Sequence, residues 1–174
     1  MHEIVTALDG RLDFLFVAIS TCGTVRGCVE YIRQFGLPIR VIAVDAVGSL
    51  IFSEVKAKRL VPGLGAGLRP PLAESLAIDE CIHVTDQECV AGCRRLVITE
   101  AILAGGSSGG VLAAVEKLQD RIPAGANCVV ILPDRGERYL ETLFNDDWVR
   151  QHLEDIEHLW REPWEETRCR TAAF

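Results

Sequence analysis

A chain of 174 residues, 49% apolar and 25% charged, is long enough for one domain with a substantial core and too apolar for global disorder. Its net charge of −7, with no run of Lys or Arg, argues against nucleic acid and anionic membrane as partners. No apolar stretch is long enough to span a bilayer, and Met1-His2-Glu3-Ile4 lacks the basic-then-apolar pattern of a leader, so the expected location is cytoplasmic.

Residues 2–12 read as a short helix and a turn at Asp9-Gly10. The apolar run Phe14–Ile19 reads as a buried strand. It leads into Ser20-Thr21-Cys22-Gly23-Thr24, a tight loop rich in hydroxyls. The spacing of Val25, Cys28, Val29 and Ile32 then predicts a helix to about Gln34, stopped by Gly36 and Pro38. Arg40–Ala46 is a second buried strand, residues 47–58 have no clear periodicity, and the Gly- and Pro-rich 59–75 reads as an extended surface loop. Gly63-x-Gly65-x-Gly67 lacks the dinucleotide spacing and follows no strand.

Ile78–Val84 is a third strand, and Thr85 with Glu88 forms a capping box. The helix that follows runs to about Ile102, with Cys89, Cys93, Leu96 and Val97 inward. Gly105–Gly110 is a second glycine/serine loop; it opens a helix with Val111, Val115 and Leu118 inward. Residues 127–132 are a fourth strand, closed by Pro133-Asp134-Arg135-Gly136. A final helix starts near Asp146 with Val149, Leu153, Ile156 and Trp160 as its stripe, and the tail after Pro163 is expected to fray. The C-terminal acidic residues, among them Asp146, Asp147, Glu154 and Asp155, read as a solvated face rather than a metal site.

Strands alternating with helices predict an α/β fold with a mainly parallel sheet covered on both faces. Ligands in such sheets sit beyond the carboxyl ends of the strands, where the loops at 20–24, 106–110 and 133–136 lie. The seven cysteines are odd in number and include no C-x-x-C, so they read as reduced, mostly buried thiols. Cys89 and Cys93 lie one helical turn apart, but no histidine stands at ligand spacing, and core packing is the better account.

Two chemistries compete for the loops. Gly106-Ser107-Ser108-Gly109-Gly110 contains G-x-S-x-G, with Asp134 and His152 or His158 following in hydrolase order. That elbow needs a strand directly before the serine, and here a helix end precedes it. The other chemistry is anion binding: backbone N–H groups and hydroxyls of Ser20, Thr21, Cys22, Gly23 and Thr24 at a helix N-terminus suit a phosphate or carboxylate, although Ser and Thr there could also simply cap the helix.

The second pattern carries a resemblance. Residues 19–27 resemble the G-T-G-G-T-x-x-G phosphate loop of fold-type II pyridoxal-phosphate enzymes, the cysteine synthase and cystathionine β-synthase group. Residues 62–67 resemble their G-I-G-A-G segment, 102–109 their G-I-S-S-G motif, and 133–140 their P-x-x-G-E-R-Y-L. The resemblance covers about residues 13–148 and implies the large cofactor domain of a tryptophan synthase β-like fold. It implies that Ser20, Thr21, Cys22, Gly23 and Thr24 bind the phosphate of pyridoxal 5'-phosphate and that Ser107 faces the pyridine nitrogen. A neutral serine leaves that nitrogen unprotonated and favours β-replacement.

Residues 84–96 and 132–139 narrow the resemblance to the siderophore-cluster branch, whose members make N-(2-amino-2-carboxyethyl)-L-glutamate, a 2,3-diaminopropionate precursor, from O-phospho-L-serine and L-glutamate. Ser20 stands where the family has glycine and would help select phosphoserine; sulfide transfer, as in a cysteine synthase, stays open as the alternative. The family's Schiff-base lysine has no counterpart: Lys56, Lys58 and Lys117 match no family motif, so no catalytic residue is assigned. The expectation is therefore residues 1–150 as the C-terminal part of a cofactor domain and 151–174 as a helix and tail. Such a fragment would be inactive alone, with a non-catalytic binding remnant as the alternative, and would expose apolar surface for homodimerisation or for pairing with an N-terminal half.

Overall fold

The computed structural model describes residues 1–161. Cys169 and the tail expected after Pro163 lie outside the described residues. Four parallel strands form one sheet: β1 (Phe14–Ala18), β2 (Arg40–Ala46), β3 (Glu80–Val84) and β4 (Cys128–Val130), in spatial order β3-β2-β1-β4. Strand alternation sends one set of side chains to each face. Phe14, Phe16, Ile42 and Val44 pack with Val84, Val90 and Val111 on one side. Leu15, Val17, Val41 and Ala43 pack with Val25, Cys28, Val29 and Ile32 on the other.

Helices cover both faces, as the alternating pattern predicts. α1 (His2–Ala7) and α2 (Gly23–Gln34) lie on the second face. α3 (Asp86–Glu100) and α4 (Gly106–Leu118) lie on the first. α5 (Asp146–Leu153) and α6 (His158–Arg161) follow β4. The apolar stripe from Val149 to Trp160 is buried as expected, but not on one helix: α5 ends where Glu154 adopts φ +70°, and Ile156 and Trp160 reach the core from a new start. No helix among the described residues is long and apolar enough to cross a membrane.

The capping box forms: Glu88 N–H donates to Thr85 Oγ1 and Thr85 N–H donates to Glu88 Oε2. Thr85→Ala is expected to lower stability by about 1 kcal/mol, a Tm shift of roughly 3 °C by calorimetry. Three expectations need correction. Val97 is exposed on α3, whose inner face instead carries Val90, Ala91 and Gly92. Gly106–Gly110 is not a loop but the first turn of α4. The 59–75 stretch is not wholly on the surface either: Val61, Leu64 and Ala73 are buried, because Leu60 and Val61 N–H donate to the Asp86 carboxylate and Gly65 N–H donates to Ile19 O.

Among the described residues the cysteines are unpaired thiols. Burial pushes the Cys93 thiol up to about 12 and raises Cys89 further, so neither forms a thiolate near neutral pH. Cys128 is exposed. A thiol reagent at neutral pH is expected to label Cys128 within minutes and to spare Cys89 and Cys93 until the chain is unfolded; mass mapping of the modified peptides checks this.

Candidate functional site

The strand order places β1 between β2 and β4: the chain steps from β1 outward to β2 and β3 on one side, then crosses back to add β4 on the other. Such a switch point opens a crevice at the strand ends. A cavity of about 320 Å³ lies there. It is lined by Val17 and Ala18 from β1, by the 20–25 loop, by Gly63, and by Ile131, Leu132 and Pro133 beyond β4. All five residues of the anion loop therefore meet in one cavity, within the size range of small-molecule sites.

The loop is held from several directions. Ile19 N–H donates to Val44 O at 2.9 Å, anchoring it to β2. Ser20 Oγ donates to Gly65 O at 3.1 Å, and Ser49 Oγ accepts from Ala66 N–H at 3.1 Å, so the 63–67 segment folds over the loop. Arg59 Nη1 steadies it further through Leu64 O at 2.8 Å. Sequence reading treated Ser20 as a substrate-side donor; its hydroxyl is engaged with this carbonyl while the residue still lines the cavity. Arg26, next to the loop, turns away: its guanidinium binds Leu72 O, Glu74 O and Glu30.

Cys22 is the residue before α2 and sits in the left-handed region at φ +66°. A non-glycine there costs roughly 1–2 kcal/mol, offset by burial of its side chain in the core beneath α2. Burial, with a smaller contribution from Asp45, raises its thiol pKa. The neutral thiol therefore presents no charge to an anion. No side chain caps α2, in contrast to Thr85 on α3. The free N–H groups and dipole of the first turn of α2 thus open on the cavity, which suits an anionic group.

Ser107 is not in the cavity lining; it is buried in the first turn of α4. The backbone links the two places. Gly105 N–H donates to Asp134 O at 3.1 Å, and Gly136 N–H donates to Leu103 O at 3.0 Å, next to the lining residue Pro133. A Cβ on Gly105 would come within 2.1 Å of Asp134 Oδ1 and 2.8 Å of Tyr139 Cε2, so any side chain there would displace the Asp134–Tyr139 pair. Tyr139 Oη donates to Asp134 Oδ2 at 2.5 Å; burial first, then this bond, holds the phenol up at about 12. In the sequence Asp134 has a role only in the hydrolase order, and Tyr139 has none. The signal for the pair was an acidic residue in a Pro-Asp turn with an aromatic hydroxyl five positions on.

The hydrolase arrangement does not assemble. Ser108 is fully buried and its hydroxyl has no hydrogen-bond partner. His152 lies on α5 bonded to its own helix through Trp148 O, and His158 is exposed on α6. Of the three lysines, none lines the cavity; Lys117 instead binds His83 O and Glu88 at the far end of α4.

Comparison with known proteins gives three findings. A family model described as pyridoxal-phosphate dependent enzyme matches residues 1–134. An N-(2-amino-2-carboxyethyl)-L-glutamate synthase of Ralstonia nicotianae is 45% identical over 147 residues, covering 84% of this chain and 44% of the synthase. The crystal structure of an O-acetylserine dependent cystathionine beta-synthase from Helicobacter pylori superposes with a TM-score of 0.75 at 31% identity, over 81% of this chain and 46% of that one. The chain thus spans less than half the length of these relatives.

Proposed function

Because the chain belongs to the pyridoxal-phosphate dependent enzyme family, we propose that it forms the phosphate-anchoring part of a β-replacement synthase that joins O-phospho-L-serine to L-glutamate. The product would be N-(2-amino-2-carboxyethyl)-L-glutamate, feeding 2,3-diaminopropionate into siderophore assembly. The observation that carries this reading is the cavity that gathers Ser20 to Thr24 at the uncapped N-terminus of α2.

The residues fit pyridoxal phosphate. Free N–H groups of the first turn of α2 and the hydroxyls of Thr21 and Thr24 supply donors for a phosphate dianion, and the neutral Cys22 adds no repulsion. Gly63 lines the same cavity without a side chain. When bound, the cofactor supplies an electron sink that acidifies the substrate Cα and lets a β-substituent leave. The family resemblance gives Ser107 the role of neutral partner to the ring nitrogen; it is buried in the first turn of α4 outside the cavity lining, and the Gly105–Asp134 bond fixes the turn that carries it. Ser20 biases the site toward phosphoserine by holding the 63–67 segment over the loop; unchanged substrate preference in a Ser20→Gly enzyme containing both halves would sink that assignment.

No lysine lines the cavity, so the chain by itself holds the cofactor without turning it over. Turnover needs a lysine-bearing partner segment, or a dimer that includes one. Val55, Leu68 and Leu72 are exposed on the 47–75 segment and suit such an association. The test mixes this chain with the part of the Ralstonia synthase that it does not match, then supplies pyridoxal phosphate, O-phospho-L-serine and L-glutamate. Product from the mixture and none from either piece supports the proposal. Product absent here, but formed when the synthase's own matching piece is used, contradicts it.

A further inference from the structure

We propose that Asp45, Cys81 and His83 form a zinc-type cation site at the carboxyl ends of β2 and β3, outside the lining of the cofactor cavity. Asp45 and His83 are directly paired across the two strands, and Cys81 precedes His83 by two residues, so all three side chains project from one face of the sheet. One ligand atom from each, a carboxylate oxygen, a thiol sulfur and an imidazole nitrogen, lies within 4.8 Å of the others. That mixed donor set is the one zinc selects, whereas Ca²⁺ and Mg²⁺ take oxygen alone.

The second observation is an unmet polar demand. Asp45 is fully buried. Its Oδ1 accepts from Ala46 N–H at 2.8 Å and the Ser49 hydroxyl stands beside the carboxyl group, but Oδ2 has no hydrogen-bond partner. His83 Nε2 is also buried without one, and the two atoms face each other at 3.8 Å, too far for a hydrogen bond. Zinc bonds of about 2.0–2.3 Å in tetrahedral geometry set ligands roughly 3.3–3.8 Å apart. The carboxylate–imidazole spacing of 3.8 Å is wider than the roughly 3.4 Å of a tetrahedral oxygen–zinc–nitrogen pair, so binding would draw the three side chains together.

The His83 side chain is 34% exposed, which gives an entry path and leaves the fourth position to water. Burial holds the Cys81 thiol up at about 12, so a cation binds by displacing its proton to solvent as the sulfur–metal bond forms. The bound cation would neutralise the buried Asp45 carboxylate and clamp the edge strand β3 to β2.

The test uses the whole chain with Cys128 and Cys169 replaced by Ser, so that neither supplies the thiolate. Zn²⁺ alone is titrated by calorimetry and Co²⁺ alone by absorbance. One equivalent of each binds, cobalt shows a thiolate charge-transfer band, Cys81→Ser abolishes the band, and His83→Gln weakens zinc binding at least about tenfold. Circular dichroism identical to the parent verifies that each variant is folded, and the partly exposed His83 makes His83→Gln the safer of the two. Absence of the cobalt band in the parent, or its survival in Cys81→Ser, overturns the site. Pyridoxal-phosphate affinity is measured on the same samples and stays unchanged.

Discussion

Gly109→Val is expected to lower the stability of the chain by about 3 kcal/mol or more, a large fraction of what a domain this size has. A Cβ at Gly109 would lie 1.9 Å from Cys89 O and 2.4 Å from Cys93 N. A Cβ at Gly92 would lie 2.2 Å from Gly109 O. Backbone therefore meets backbone where α3 crosses α4, and no side-chain rotation can relieve the overlap. The helices would have to part, pulling Val90 and Val111 from the core beneath β1 and β2. Gly27→Ala on α2 is the matched control. Nothing lies within 4 Å of its Cβ, so it is expected to gain about 0.5–1 kcal/mol from helix propensity. Urea unfolding of the two variants beside the parent checks both signs. A Gly109→Val chain with the parent's midpoint would mean that the crossing is looser than described.

The second large effect is on cofactor binding. Replacing Thr21 and Thr24 together by Val is expected to weaken pyridoxal-phosphate affinity about a hundredfold. Each hydroxyl bond to a charged phosphate is worth roughly 1.5–3 kcal/mol, and losses at adjacent groups are less than additive. Both residues are exposed in the chain and valine keeps their shape, so the fold is expected to persist. Fluorescence titration with pyridoxal phosphate, and with pyridoxal as the phosphate-free control, reads the effect. Pyridoxal should bind the parent and the double variant alike. Equal pyridoxal-phosphate affinity in parent and variant would move the phosphate elsewhere.

Much of the fold is legible because the buried strands are written in local runs. Arg40–Ala46 carries four β-branched or small apolar residues in a row and forms β2 over that range. Thr85 and Glu88 announce the start of α3 at fixed spacing. What stays hidden is contact between segments distant in sequence. Glycine carries no side chain to show that Gly92 and Gly109 are pressed together, so Gly105–Gly110 reads as a loop although it opens α4. The 59–75 stretch looks like surface because its composition is that of turns, yet Asp86 and Ile19 draw it in.

The same limit governs the site. The anion loop is contiguous, so its five residues are visible together in the sequence, and the cavity gathers all of them. Ser107 rests on a resemblance alone; its place in the first turn of α4 and its link through Gly105 to Asp134 emerge only in three dimensions. Asp45, Cys81 and His83 are separated by a long loop in the chain and meet only through the register of β2 on β3. The positive φ of Cys22 is likewise not announced by its residue type, since a buried cysteine rarely takes that conformation.

The most direct test of the central claim is an amide-resolved NMR titration of the chain with pyridoxal phosphate. The account predicts saturable binding with the largest amide shifts at Cys22, Gly23 and Thr24, smaller ones at Gly63 and Ile131, and loss of the first set when pyridoxal replaces the phosphate ester. Largest shifts in another part of the sheet, or on the α3–α4 face, with the 20–25 amides unmoved at saturation, would contradict it.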